Sequence, residues 1–130
     1  MSYSDIQSFD QEVIRPSAIL TNSYVAGVTL TDLKYKNQLV LFIDFTKGSL
    51  TTAEVKIEFS DDGVNFYQET VQGTLSGANL PETLAVHQFS ATGKYMVAIP
   101  IKCSAVKVSA NGTGTVTDSL MAISAIVGVQ

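Results

Sequence analysis

The sequence predicts an all-β chain folded as a single β-sandwich of about eight or nine mostly antiparallel strands. Three observations carry that expectation. Short segments alternate apolar and polar residues at period 2, the mark of a strand with one buried face. Clusters of Gly, Asn, Asp and Ser separate these segments. No stretch has a convincing helical period, and no internal repeat or low-complexity segment interrupts the series.

The clearest strand pair lies in Glu54 to Thr70, EVKIEFSDDGVNFYQET. Val55, Ile57 and Phe59 alternate with Glu54, Lys56 and Glu58. Ser60-Asp61-Asp62-Gly63 supplies turn chemistry, since Asp bonds locally to backbone and Gly accepts positive φ. Asn65 to Thr70 then returns as a second strand. A hairpin alone is marginal in water, so a second sheet must cover its apolar face.

Ahead of the hairpin, residues 1–22 read as an N-terminal arm and residues 23–130 as the sandwich domain. In the arm Phe9, Val13, Ile14, Ile19 and Leu20 are scattered among polar residues, and Pro16 interrupts any helix begun at Asp5. Such an arm either clamps a neighbouring subunit or packs across one open end of its own sandwich. Ser23–Leu30 is the first strand, with Gly27 marking a bulge or a close backbone approach. Asn37–Thr46, NQLVLFIDFT, is apolar on both faces over most of its length and is expected to be central.

After the hairpin, Gly73–Asn79 and Leu84–Ser90 are expected to pair across a break at Leu80-Pro81. Gly93–Ile101 alternates Tyr95, Val97, Ile99 and Ile101 against Met96, Ala98 and Pro100, and Pro100 marks an edge or a strand end. Ala105–Ala110 and Val116–Val129 are expected to close the chain as a hairpin around Asn111-Gly112-Thr113-Gly114. The last strand carries Leu120, Ala122 and Ile126 on one face and Met121, Ile123, Val127 and Val129 on the other. A strand with one wet face does not read this way. Either it is sandwiched between the core and a partner, or it ends in an intersubunit seam. The architecture fits a jelly roll or an Ig-like sandwich.

The composition bounds the function. At 130 residues the chain is one domain that can hide about two-thirds of its unfolded surface. With 12 acidic and 8 basic residues its net charge is −4, and it has no basic run. Neither nucleic acid nor an anionic membrane is an expected partner, because both recruit clustered Lys and Arg. Charged residues make up 15% of the chain, against about 25% in ordinary soluble domains. From Val71 to Gln130 the charges are only Glu82, Lys94, Lys102, Lys107 and Asp118. Either Ser, Thr, Asn and Gln supply the wet surface, or part of that surface is buried against other subunits. The opening MSYSDIQSFD has no basic n-region and no apolar h-region, so no secretory signal is expected and the chain assembles in a cytoplasm.

Catalytic chemistry finds little purchase. Cys103 is the single cysteine and His87 the single histidine; Cys103 reads as a small buried hydrophobe and His87 as a strand residue. A zinc site needs more soft ligands than these. Asp61, Asp62 and Asn65 place three oxygen ligands close together, but without the EF-hand spacing or its bidentate Glu, so they read as a turn. Asp44, Glu54, Glu58 and Glu69 offer no distinguished pair for glycoside hydrolysis. No enzyme activity, catalytic residue, metal or cofactor is expected. Phe66, Tyr67 and Tyr95 can form an aromatic platform for sugar stacking, or simply pack across strands.

Two resemblances meet at the hairpin. VKIEFSDDGVNFYQE resembles the strand and S-x-D-G-x-x-aromatic segment of discoidin-type sandwiches, which implies a carbohydrate-binding module in a fibre or adhesive structure. The chain is short for that family, Phe66 stands where Trp is usual, and the pair of cysteines is missing. The fuller resemblance is to small β-sandwich virion proteins of tailed bacteriophages, of the head decoration, cement or auxiliary type. It takes in VKIEFSDDGVNFYQET, HQFSATGKYMVAIPIKCSAVKVSANGTGTVT and the apolar last strand, covering roughly residues 37–129. It implies a virion location, a homo-oligomer (often a trimer) and contacts with the major capsid protein or other virion proteins. Neck and tail positions fit the same resemblance. The contact residues expected from unexplained apolar character are Phe9, Val13 and Ile14 in the arm and Met121, Ile123, Val127 and Val129 at the end.

Overall fold

The computed structural model describes the backbone of residues 9–75 and 78–129, and the side chains of those residues apart from 9, 10, 73–75 and 78–80. Eleven strands run through the described residues. They are β1 (Phe9–Ile19), β2 (Val25–Ala26), β3 (Gln38–Thr46), β4 (Ala53–Ser60), β5 (Tyr67–Gln68) and β6 (Thr70–Leu75), followed by β7 (Ala78–Leu84), β8 (His87–Phe89), β9 (Gly93–Pro100), β10 (Ala105–Gly112) and β11 (Leu120–Gly128). Two antiparallel sheets form the sandwich. The first has the order β1-β11-β3-β9, and the second has β2-β10-β4-β5 with β8 also on β4. β6 and β7 pair with each other as a separate ribbon.

Alternation builds the core. Leu39, Leu41, Ile43 and Phe45 of β3, with Met121, Ile123, Ala125 and Val127 of β11, point inward and are buried. They meet Ala53, Val55, Ile57 and Phe59 of β4 and Val106, Val108 and Ala110 of β10 in one cluster. Each large side chain contributes about 1.5–3 kcal/mol on full burial. The residues expected for the hairpin's inner face are therefore the ones the second sheet turns to the core.

The β3–β4 and β10–β11 connections both cross between sheets, and they pin each other. Thr51 N–H donates to the Thr113 carbonyl at 2.9 Å, and Thr113 N–H to the Thr52 carbonyl at 2.8 Å. Ser49 N–H reaches the Asp118 carboxylate at 2.7 Å, and the Ser119 hydroxyl donates to the Lys47 carbonyl. This mutual bracing overturns the expected terminal hairpin. Asn111 and Gly112 remain in β10 beside β4, and the chain then crosses to put β11 in the other sheet, between β1 and β3.

The Leu80-Pro81 break is also absent, because both residues lie within β7. The β6–β7 register shifts there, with Gln72 opposite Glu82 and Thr74 opposite Asn79. A bulge in a ribbon with a free edge tolerates a residue that cannot donate. β8, expected to pair with the 73–79 segment, instead lines β4 beside β5. By contrast β3 is central in its sheet, and β9, which ends at Pro100, is an edge strand.

Within the stretch expected as an arm, residues 9–19 form the edge strand β1 along β11. Residues 1–8 lie outside the described residues. The register shifts around Arg15 and Pro16, where proline cannot donate. The Arg15 guanidinium fills in, donating to the carbonyls of Met121 (3.0 Å), Ala18 (3.2 Å) and Ile19 (3.1 Å). Ile14 and Leu20 enter the core. Gly27 marks a close approach: a Cβ there would overlap the Ile14 carbonyl oxygen, while Val28 N–H donates to that same oxygen at 2.9 Å.

Parity along β3 and β9 predicts opposite responses to truncation. Leu41→Ala, in the core, should lower the unfolding free energy by about 2–5 kcal/mol. Met96→Ala, on the outer face, should change it by at most about 0.5 kcal/mol. Urea unfolding of the two variants checks the assignment of faces.

Candidate functional site

The two outer faces of the sandwich differ in chemistry. On the second sheet, Glu54, Lys56, Glu58 and Lys107 are half-buried and satisfied within the chain. The Tyr24 hydroxyl donates to Glu54 at 3.2 Å, and Gln88 Nε2 donates to its other oxygen at 2.9 Å. Lys56 Nζ lies 4.6 Å from the Tyr24 ring centroid and 3.8 Å from Glu58. Lys107 Nζ lies 4.6 Å from the Phe66 ring centroid. Cation–π contacts and ion pairs of this kind close the face over itself.

The first sheet's outer face is open and largely apolar. Val13, Ser124, Phe42 and Met96 form one transverse row across all four strands. The next row is Gln11, Ile126, Val40 and Ala98. On the other side come Ala122, Asp44 and Lys94, and then Ile19, Leu120 and Thr46. Exposure is 58% at Val13, 54% at Ile19, 39% at Phe42 and 67% at Met96. A groove of ≈ 490 Å³ runs across this face, lined among others by Val13, Arg15, Phe42, Lys94, Met96 and Ala122. Its carboxylate and ammonium are paired, Lys94 Nζ to Asp44 Oδ2 at 2.8 Å.

Four strands at about 4.8 Å spacing and nine residues at about 3.3 Å give this face a flat footprint of about 570 Å². Polar residues (Gln11, Ser124, Asp44, Lys94 and Thr46) share that footprint with the apolar ones, so its apolar part is smaller than the whole and does not exceed the largest patches on ordinary monomers, about 300–600 Å², which are often functional. Strand alternation, not exceptional composition, puts it there: β11 is largely apolar on both faces and β3 carries Val40 and Phe42 on its second face, so some apolar side chains must point outward.

This corrects the expected contact residues. Ile14, Met121, Ile123 and Val127 are buried in the chain's own core and are unavailable to a partner, because they sit on the inward parity of β1 and β11. Val129 is half-buried beyond the end of β11. Phe9 pairs through its backbone with Gly128, and its side chain lies outside the described residues. Val13 alone of that set is on the open face. Phe42, Met96, Ile19 and Leu120 are the residues that sequence reasoning passed over. The signal was present in NQLVLFIDFT, whose second apolar face had no assigned cover.

The aromatic platform does not assemble. Tyr95 turns inward, its ring 4.7 Å from Phe89 and its hydroxyl donating to the Ala91 carbonyl. Phe89 pairs with Ala53, whereas Tyr67 pairs with Phe59 at the far end of β4. Six residues of strand separate those positions by about 20 Å. Phe66 is occupied by Lys107, so Tyr67, 67% exposed, stands apart from Tyr95. The carbohydrate-module reading loses the side chains on which it relied.

The reactive residues are dispersed. His87 lies exposed on β8 opposite Val55, and Cys103 is half-buried in the β9–β10 connection. Among the described residues no three His, Cys, Asp or Glu side chains group as metal ligands. Glu54 and Glu58 are engaged as described, and Glu69 pairs with Lys102 at 2.5 Å.

The fold and this open face define a β-sandwich whose distinctive feature is a largely apolar outer face on its first sheet. No family model matches the chain, and no curated protein matches it. Among solved structures it is similar to the SPBc2 prophage-derived protein YomS, at 18% identity over 95% of each chain with a TM-score of 0.53. At that identity the likeness shows a shared fold.

In the Asp61-Asp62-Asn65 turn the Asp62 carboxylate spends both its oxygens on the chain itself. Asp62 Oδ1 accepts from the backbone N–H of Asn65 and of Val64, both at 2.8 Å, and from the Ser60 hydroxyl at 2.9 Å. Its Oδ2 accepts from Asn65 Nδ2 at 2.9 Å. Gly63 takes φ +77° inside the turn, a value glycine adopts at little cost. The Asn65 and Val64 backbone donors, then the Asn65 and Ser60 side chains, hold the Asp62 carboxyl well below the usual carboxylate range. The turn's contribution is therefore complete above about pH 4, where an unfolded Asp is ionised, and is lost as pH falls toward the depressed folded value. Asp62→Asn should be less stable than the parent at pH 7 and should narrow that deficit at pH 3. Denaturant unfolding at the two pH values measures it.

Proposed function

We propose that this chain is a structural virion protein of a tailed bacteriophage, decorating or cementing the capsid through subunit contacts made by the outer face of the first sheet. The observation that carries the reading is that face: a row of Val13, Phe42 and Met96 open to solvent on a chain whose other face is closed by its own ion pairs and aromatic rings. Exposed apolar patches rimmed by polar residues are often interaction sites. The sequence resemblance to phage virion sandwiches supports the setting. The likeness to a prophage-derived protein of the same fold is in keeping with it.

In this role the chain is not an enzyme. It adds buried area between neighbouring subunits, and repetition over a shell turns modest pairwise affinities into lasting cohesion. Standard interfaces bury about 1,200–2,000 Å² in total, so contacts beyond this one face, by the β6–β7 ribbon for example, add to it. Val71 and Leu84 on that ribbon are also exposed. The expected location is the virion, after assembly in the host cytoplasm.

Quantitative mass spectrometry of purified particles tests this. The chain should be present at a fixed stoichiometry to the major capsid protein, and Phe42→Asp should reduce its occupancy at least tenfold. Its absence from washed particles, with the protein recovered only from the lysate, would reject the virion role.

A further inference from the structure

We infer that the outer face of the β1-β11-β3-β9 sheet is a self-complementary surface that pairs two copies of this chain, sheet against sheet, about a two-fold axis near Ser124 and Phe42. The inference names the occupant of the proposed contact surface and so rests on reading that face as one.

Shape is the first ground. Along β11 the outward residues near the middle are small, Ala122 and Ser124, and they form the floor of the groove. Beside them β3 and β9 raise Phe42 and Met96 as a ridge, in register with Ser124. A ridge and a trough side by side on one face can be exchanged by a two-fold rotation, the ridge of each copy filling the trough of the other. An isologous interface requires this relation, in which the same patch serves both partners. Two sheets packed face to face sit about 10 Å apart with side chains interdigitating, and alternating large and small residues permit that.

Charge is the second ground. The chain carries a net charge of −4, so most approaches of two copies are mutually repulsive. Among the described residues lining the groove on this face the one carboxylate, Asp44, is already paired with Lys94, and Arg15 adds a positive charge at the β1 side. Two copies meeting here avoid the like-charge cost they would meet on other surfaces.

Area is the third. Two footprints of about 570 Å² bring together about 1,100 Å², and side-chain relief makes the accessible area larger. That clears the roughly 1,000 Å² expected of a specific interface and falls at the weak end of the standard class. The pair should therefore be concentration-dependent, tightened in an assembled shell by additional contacts.

Sedimentation velocity of the full chain across a wide concentration range tests the pairing. The parent should move from monomer to dimer as concentration rises. Phe42→Asp and Met96→Asp should remain monomeric with an unchanged circular dichroism spectrum, because both side chains point away from the core. Leu84→Asp, equally exposed but on the ribbon, should dimerise as the parent does. A parent that stays monomeric at every concentration overturns the inference, as does a dimer that survives Phe42→Asp. A monomeric parent that still loads onto particles through Phe42 also overturns it, assigning the face to a different virion protein while leaving the virion role intact. A dimer abolished by Phe42→Asp, in a chain absent from particles, upholds the pairing and removes the virion role.

Discussion

Strand parity governs this molecule. Odd-numbered residues of β3 from Leu39 to Phe45, and of β11 from Met121 to Val127, point inward; the even-numbered residues between them point out. A shift of one residue would exchange the two sets entirely. The core of the sandwich, the position of its ion pairs and the apolar character of its open face all follow from which set is inside. Parity is fixed by the partner strands: β11 lies between β1 and β3 with continuous register from Leu120 to Gly128 on the β3 side. The crossing loops, bonded to each other through Thr51, Thr52 and Thr113, deliver β4 and β11 to opposite sheets.

The same constraint explains what was legible in the sequence. Where one face is charged and the other apolar, as in Glu54–Phe59, alternation identifies both the strand and its inner face. The turn at Asp62, the central place of β3 and the edge place of β9 were legible for similar local reasons: Asx chemistry, apolarity on both faces, and a proline at the strand's end. In β11 both faces are apolar. Periodicity then separates Leu120, Ala122 and Ile126 from Met121, Ile123 and Val127 but cannot say which set faces the core. Only the second sheet, built from β4 and β10 far away in sequence, decides it.

Other features were hidden because they depend on non-local pairing. Asn111-Gly112-Thr113-Gly114 has the composition of a hairpin tip, yet the bonds it makes to the β3–β4 loop turn it into a crossing. Leu80-Pro81 resembles a break, yet a bulge in a free-edged ribbon absorbs it. Phe66, Tyr67 and Tyr95 could be grouped by type, but strand order separates them. The open face itself was visible only as a surplus of apolar residues; Val13, Phe42 and Met96 are distant in sequence and become neighbours through three separate strand pairings.

The two outer faces give the molecule a direction. One is sealed by Tyr24, Lys56, Phe66 and Lys107; the other presents large apolar side chains to water, which the proposed contact would cover. Oxidation of the methionines reads that covering directly. Met96 is open on the outer face and Met121 is fully buried, so peptide mass spectrometry after brief peroxide treatment carries its own internal control. In dilute free protein Met96 should oxidise rapidly and Met121 slowly; in the concentrated or assembled state Met96 should become protected as well. Equal oxidation of Met96 in the free and assembled states would contradict the account, for it would mean that the face remains bare.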